Sequence, residues 1–282
     1  MPIGAITRSA AFSSAPFGAN SAAGNKVVIH APANFAPADP FILCVFFHGW
    51  EISKGSRDAQ IAAAAAQIQA SGTNCLFVAP KFGPQSEVGG FSQTSAFSAF
   101  VLEIETVLPK ILEQSGMTAE QAAQVGRDAA RTARILLVAF SGGWKPLSAT
   151  LQGLLVLDSQ TGLGGETRCA DRIVGIQLLD CIYGDMSSAA VIAWDSKRRD
   201  QATLISIYGK DTGSNAKVAN RALLATLRPD QPLASQSQWA TLPKPLPGDF
   251  VAFFEVPTTH MSILPAGPPP QPVSTFLDFL VP

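Results

Sequence analysis

Ser141 stands in Ala139-Phe140-Ser141-Gly142-Gly143, after an apolar run and before a helical pattern. A serine on so sharp a strand-to-helix turn has a strained backbone and needs small residues two positions away. Ala139 and Gly143 meet that need. Such a turn lifts the hydroxyl above the sheet and aims the next helix N-terminus at developing negative charge. The plainer reading is a tight turn, or a helix capped by Ser141. A serine hydroxyl becomes a nucleophile at neutral pH only with a base beside it, and histidine is the usual one. The chain has three histidines. His30 lies in an early strand pattern and His48 ends a later one. His260, in Val256-Pro257-Thr258-Thr259-His260, follows the last strand pattern and is the candidate base. Its plainer reading is an ordinary surface histidine.

Phe46-Phe47-His48-Gly49-Trp50 ends another apolar run. Backbone N–H groups at such a turn can donate to an oxyanion. We assign those donors to the amides of Trp50 and Gly142, with His48 organising the loop. A turn glycine beside an aromatic anchor is the alternative. A histidine base also needs a carboxylate to orient it and stabilise its charged form. Asp180 ends the apolar run Gln177-Leu178-Leu179, so its carboxylate is expected to be partly buried and to need a partner. Asp211 sits in the polar stretch Gly209-Lys210-Asp211-Thr212-Gly213, where it could simply cap a helix. Asp180 is favoured, Asp211 is the runner-up, and Asp185 reads as a helix cap.

The elements that must position these groups alternate. Strand patterns cover 27–30, 41–47, 75–79, 135–140, 173–179, 203–208 and 251–256. Several are continuously apolar, as in strands buried on both faces. Between them lie an alanine-rich helix at 58–70, a helix at 95–114, and one opened by the capping-box pattern Thr118-Ala119-Glu120-Gln121. Further helices are expected at 144–155, 187–196, 214–227 and 273–280. Pro109 should kink or end the helix that contains it. Strand-helix alternation implies one doubly wound, mostly parallel sheet with helices on both faces. With no internal repeat or linker, residues 1–282 read as a single domain. Ligands on such sheets bind at the carboxyl ends of strands.

Composition excludes several classes. Apolar residues make up 47% of the 282 and charged residues 15%, which supports a sizeable core and argues against disorder. The net charge of -1 lacks the basic footprint of a nucleic-acid binder. No apolar stretch approaches the roughly 18 residues of a membrane span. The N-terminal residues carry no signal-peptide pattern, so the compartment reads as cytoplasmic, or as secreted with the leader absent. Cys44 and Cys75 read as small core hydrophobes, whereas Cys169 and Cys181 flank a strand and could pair. With no C-x-x-C, no metal site is expected. Gly162, Gly164 and Gly165 have the wrong spacing for a dinucleotide-binding turn.

A strand ending in His48-Gly49, then Ala139-Phe140-Ser141-Gly142-Gly143, then an acid, then the late His260 resembles the α/β-hydrolase superfamily in order along nearly the whole chain. The usual elbow is G-x-S-x-G, and Ala139 departs from it conservatively. The resemblance implies a Ser-Asp-His triad, acyl transfer through a covalent acyl-enzyme, no cofactor, and a small-molecule or polymeric acyl substrate. In the superfamily the acid commonly follows the penultimate strand, which favours Asp211. Some members carry it one strand earlier, which favours Asp180. A carboxylic ester is the expected substrate. The alternatives are an amidase or peptidase with the same triad, and a catalytically inactive hydrolase fold that binds ligands. No large inserted cap separates Ser141 from His260, so the site should be open or covered by loops. Trp50, Phe82, Phe91, Trp144, Tyr183 and Trp239 are candidate wall residues, with Trp144 and Tyr183 assigned to substrate binding. The loop 81–94 could serve as a lid.

Overall fold

Along β3 (Ile42–Phe47), Leu43, Val45 and Phe47 enter one core while Ile42, Cys44 and Phe46 enter another. β5 (Arg134–Phe140) does the same: Ile135, Leu137 and Ala139 face one way, and Leu136, Val138 and Phe140 the other. Side chains alternate along a strand, so a strand covered on both faces must be apolar at every position. The computed structural model that shows this describes residues 5–12, 25–159, 169–209, 214–234, 236–239, 241–242, 244–266 and 272–280.

The described residues form an eight-stranded sheet in the order β1-β2-β4-β3-β5-β6-β7-β8. The remaining strands are β1 (Ile6–Ala11), β2 (Lys26–Ala31), β4 (Cys75–Pro80), β6 (Ile173–Leu179), β7 (Thr203–Gly209) and β8 (Val251–Val256). β2 pairs antiparallel with β1 and β4, and every other pairing is parallel. The sheet is therefore doubly wound and mostly parallel, as the alternation predicts. β1 was not expected from the sequence. Its exposed residues alternate poorly with buried ones, because it is an edge strand held mainly by β2.

Helix α1 (Ser56–Ser71) packs on one face with α7 (Gln236–Trp239), α8 (Ile263–Ala266) and α9 (Pro272–Leu280). Helices α2 (Ala96–Glu113), α3 (Ala119–Arg131), α4 (Trp144–Ser159), α5 (Asp185–Arg198) and α6 (Ser214–Leu227) cover the other. The Thr118 capping box forms: Thr118 Oγ1 accepts from the Gln121 amide at 3.2 Å, and Gln121 Oε1 accepts from the Thr118 amide at 3.3 Å. Helix α2 does not end at Pro109 but runs on to Glu113. Proline leaves the carbonyl four residues earlier without its helical partner. That carbonyl belongs to Glu105, and Gly126 of α3 packs against it and the proline ring, where a side chain would come within 2.9 Å of the oxygen. The stretch 228–249, expected as loop, contains α7. No helix among the described residues is long and apolar enough to cross a membrane.

Cys44, Cys75 and Cys181 are buried free thiols. Cys181 therefore does not pair with Cys169, although both flank β6. Gly162, Gly164 and Gly165 lie outside the described residues.

Arg172, just before β6, is 4% exposed, and its guanidinium donates to the carbonyls of Ala129, Ala130 and Ala133. These carbonyls close α3 and lead into β5, so one buried cation satisfies acceptors that the helix leaves open. Replacing Arg172 with Met should cost about 3 kcal/mol, because three buried carbonyls lose their donor. Urea unfolding should show a lower midpoint with an unchanged slope.

Candidate active site

Ser141 follows β5 directly and has φ +52°, a left-handed conformation uncommon for a residue with a side chain. Such strain costs on the order of 1–3 kcal/mol and persists only where the surroundings enforce it. Here they do. A Cβ on Gly143 would lie 2.2 Å from the Phe47 carbonyl oxygen, and one on Gly49 would lie 2.7 Å from Ser141 Cβ. The start of α4 is thus pressed against the end of β3, and only glycine fits at both contacts. Ala139 pairs with Phe47 and Leu178 in the middle of the sheet. Ser141 itself is partly exposed, at the carboxyl end of β5 and at the positive end of α4.

β6 ends beside it. Phe140 pairs with Leu179, so Ser141 and Asp180 leave the sheet at the same level. Asp180 also has a left-handed φ, +49°. Its amide donates to the Ile207 carbonyl of β7 at 2.7 Å, which carries the ladder one residue past the strand. β7 runs on to Gly209, level with Val256 of β8. The chain after β8 then turns back over the sheet edge. Thr259 and Ser262 close that turn through a backbone bond of 3.0 Å and a hydroxyl pair at 2.9 Å. His260 sits in the turn. Its Nδ1 lies 2.7 Å from Asp180 Oδ2, and its ring stacks on Phe140 with centroids 5.0 Å apart. The Asp180 side chain has no solvent exposure, whereas that of His260 is 29% exposed. The structure thus brings His260 to Asp180 and lays its ring on the residue before Ser141. Asp211, the other candidate acid, lies outside the described residues. Asp185 opens α5, where a carboxylate suits the helix dipole.

The His48-Gly49-Trp50 turn is tied on every side. The Gly49 amide donates to Gln60 Oε1 at 2.8 Å, and Gln60 Nε2 donates to the Trp50 carbonyl at 3.2 Å. The Glu51 amide donates to the Pro84 carbonyl. Between these, the Trp50 amide has no acceptor among the described residues. Gly142 is in the first turn after β5, where amides lack intrahelical acceptors. The Trp50 indole lies against Gly142, so close that a Cβ there would fall 2.1 Å from the ring. Lys145 Nζ sits over the indole, 5.2 Å from its centroid.

His48 is fully buried, and its partners fix its tautomer. Nε2 accepts the Phe82 amide at 2.9 Å, so the proton is on Nδ1 and is donated to the Gly49 carbonyl at 2.7 Å. Burial lowers its pKa to about 4. It is a neutral strut between two loops. Ser86 Oγ reaches the His48 carbonyl at 3.0 Å, and Lys145 Nζ reaches the Gln85 carbonyl at 3.0 Å. The segment expected as a lid is therefore bonded to the turn it would uncover. His30 is in β2, paired with Thr7 on β1 and far along the sheet from β5.

Tyr183 and Trp50 are half-exposed beside Ser141, at 40% and 46%. The Tyr183 hydroxyl is 2.6 Å from the Asp180 carbonyl and 3.5 Å from Ser141 Oγ. Trp144 is partly buried and packs toward the core. Phe82, Phe91 and Trp239, expected as possible wall residues, are instead buried. Phe82 and Phe91 stack edge-on at 5.4 Å, and Trp239 stacks on Phe254 at 4.7 Å. Large aromatics gain most by filling cores, and these do. Sequence reasoning missed Gln60 and Gln67. Both are buried, seven residues apart on one face of an alanine-rich helix. That spacing, with polar residues on the face carrying Ile61 and Ile68, was the available signal. Gln67 donates to the Leu264 carbonyl and accepts the Val273 amide, which ties α8 and α9 to α1 just beyond the His260 turn. Among the described residues, no group of three or more His, Cys, Asp or Glu could hold a metal ion.

Comparison with solved structures agrees with this architecture. A structure of a protein designated FAE aligns with a TM-score of 0.51 and 13% identity, over 99% of this chain and 88% of that one. A mutant feruloyl esterase module from Clostridium thermocellum, complexed with sinapinate, gives 0.49 and 12% over 99% and 88%. A thermostable esterase from Pseudomonas putida gives 0.48 and 11% over 99% and 82%. No protein-family model and no curated protein sequence matches the chain. The chain has the α/β-hydrolase fold.

The buried His48 carries a pH dependence. Its folded pKa, about 4, is below the ordinary 6.5, so the unfolded chain binds the extra proton between those values. The stability it contributes is complete above pH 6.5 and is lost as pH falls toward 4. The loss should be roughly 3 kcal/mol. Urea midpoints across that window should fall more steeply for wild type than for His48→Gln. The ring signals of His48 in NMR should titrate near the lower value.

Proposed function

We propose that this protein is a serine hydrolase of carboxylic esters, acting through Ser141, His260 and Asp180. The observation that carries the reading is the 2.7 Å bond from buried Asp180 to His260, whose ring stacks on the residue before Ser141. Asp180 holds His260 with its proton on Nδ1, leaving Nε2 to act as base. His260 takes the hydroxyl proton as Ser141 Oγ attacks the ester carbonyl. The amides of Trp50 and Gly142 hold the oxyanion. His260 then gives the proton to the leaving oxygen, and an alcohol departs. Water, deprotonated by His260, attacks the acyl-enzyme, releases the acid and restores Ser141. Each oxyanion donor is worth about 100- to 1000-fold in rate. The chain works as one domain without a large inserted cap, so the substrate meets the site at the open carboxyl edge of the sheet.

That edge suggests what the acyl group is like. Trp50 and Ile52 follow β3, Tyr183 and Met186 follow β6, and Met261 adjoins His260; all five are exposed large apolar residues. Exposed apolar residues gathered on one rim mark a binding surface more than a random scatter does. Tyr183 and Trp144 are the proposed substrate-binding residues, and the rim around Tyr183 would take the apolar part of an ester.

Labelling with a fluorophosphonate, followed by intact mass and peptide mapping, tests the nucleophile. One adduct on Ser141 is expected, absent in Ser141→Ala and slowed by orders of magnitude in His260→Ala. An adduct elsewhere, or none, would refute the assignment and favour a ligand-binding role. A chromogenic ester should turn over well ahead of the matching anilide.

An acyl series tests the rim. kcat/KM should rise by up to about 4-fold for each added methylene until the rim is filled. Ile52→Ser with Met186→Ser should flatten that rise. Equal rates for all chain lengths would remove the rim from substrate binding.

A further inference from the structure

We propose that Tyr183 is a positioning residue, acting on the His260 base through Asp180; this rests on the proposed serine-hydrolase reading. The Tyr183 hydroxyl lies 2.6 Å from the main-chain carbonyl of Asp180, three residues earlier. A carbonyl can only accept, so the phenol donates its single proton there. That bond closes the turn Asp180-Cys181-Ile182-Tyr183 at the residue whose φ is +49°. Asp tolerates this conformation better than most residues, yet it still needs enforcement. The other side of the turn is also held. Ser187 Oγ accepts the amides of Tyr183 at 2.8 Å and Gly184 at 3.1 Å, and donates to the Gly184 carbonyl at 2.8 Å. Asp180 is thus clamped from its amide by Ile207 and from its carbonyl by Tyr183, with its carboxylate aimed at His260.

The same geometry denies Tyr183 the role of base or acid. Its proton is committed to Asp180, and desolvation together with the Asp180 charge pushes the phenol pKa up. Toward Ser141 Oγ, 3.5 Å away, the phenol oxygen can only accept, and at that distance only weakly. Its effect on the reaction therefore runs through the acid. The ring itself stays at the rim, so Tyr183→Phe removes the bond and keeps the aromatic surface.

The test is a double-mutant cycle with a chromogenic ester, using Tyr183→Phe, Asp180→Asn and the pair. Asp180→Asn should lower kcat on the order of 1000- to 10,000-fold, by loss of the base's orientation. Tyr183→Phe should lower kcat by about 10- to 100-fold with KM little changed, as small misplacements of catalytic groups do. In the Asp180→Asn background Tyr183→Phe should do almost nothing further. The low-field proton resonance of the Asp180–His260 bond should broaden or move in Tyr183→Phe, and thermal unfolding should remain cooperative. Additive losses, an unaltered low-field resonance, or a raised KM with unchanged kcat would overturn the proposal and make the Tyr183 hydroxyl, like its ring, a substrate contact only. Full activity of Asp180→Asn would overturn both this proposal and the triad reading. Full activity of Tyr183→Phe alone would overturn only this one.

Discussion

A carboxylate taken wholly out of water costs several kcal/mol unless a charged or hydrogen-bonding partner meets it. Asp180 is in that position, and His260 meets it at 2.7 Å. The pair is separated by 80 residues and by the whole of β7, so it forms only when the carboxyl edge of the sheet is assembled. β6 must stop two residues short of β7, and the chain beyond β8 must fold back to fill the step. Phe140 supplies the floor on which the imidazole lies. Ser141 is the next residue along the chain. Asp180, His260 and Ser141 therefore share one support, the paired ends of β5 and β6.

Rigid supports surround that edge. Gln60 holds both sides of the Gly49–Trp50 peptide, and Gln67 holds α8 and α9 behind the His260 turn. One face of one helix thus anchors two separate parts of the site. His48 does similar work on the other side, joining the Gly49 carbonyl to the Phe82 amide through a neutral ring. A protonated imidazole would present a donor where Phe82 also presents one, so burial and bonding favour the same neutral tautomer. Preorganisation of this kind matters for any site that must hold developing charge, because dipoles fixed beforehand need not reorient.

Two of the three non-glycine residues with positive φ among the described residues sit where the proposed chemistry is. Ser141 and Asp180 both have positive φ and both sit at the ends of adjacent parallel strands. The tight contacts of Gly49 and Gly143 hold the first, and the bonds of Ile207 and Tyr183 hold the second. Strain that survives only under such enforcement points to positions kept for function and not for stability.

The sheet strands from 41 onward were legible because buried parallel strands must be apolar at every position, a purely local pattern. The sharp turn at Ser141 was legible for a similar reason: a serine in such a turn needs small neighbours, and Ala139 and Gly143 announce it. The edge strand β1 escaped because one-sided cover leaves little pattern to read. Of the two outcomes open at Pro109, an end to α2 did not occur, and Gly126, seventeen residues away on another helix, leaves room for the proline ring and the Glu105 carbonyl. Phe82, Phe91 and Trp239 were open as pocket walls although aromatics more often fill cores, and packing placed them inside. Two aspartates at strand ends were open as partners of His260, and local sequence could only weigh them. The meeting of His260 with Asp180 depends on strand order, on the two-residue step between β6 and β7, and on the turn that folds back over it. Those are relations between distant segments, set by sheet register and packing, and no local run of residues carries them.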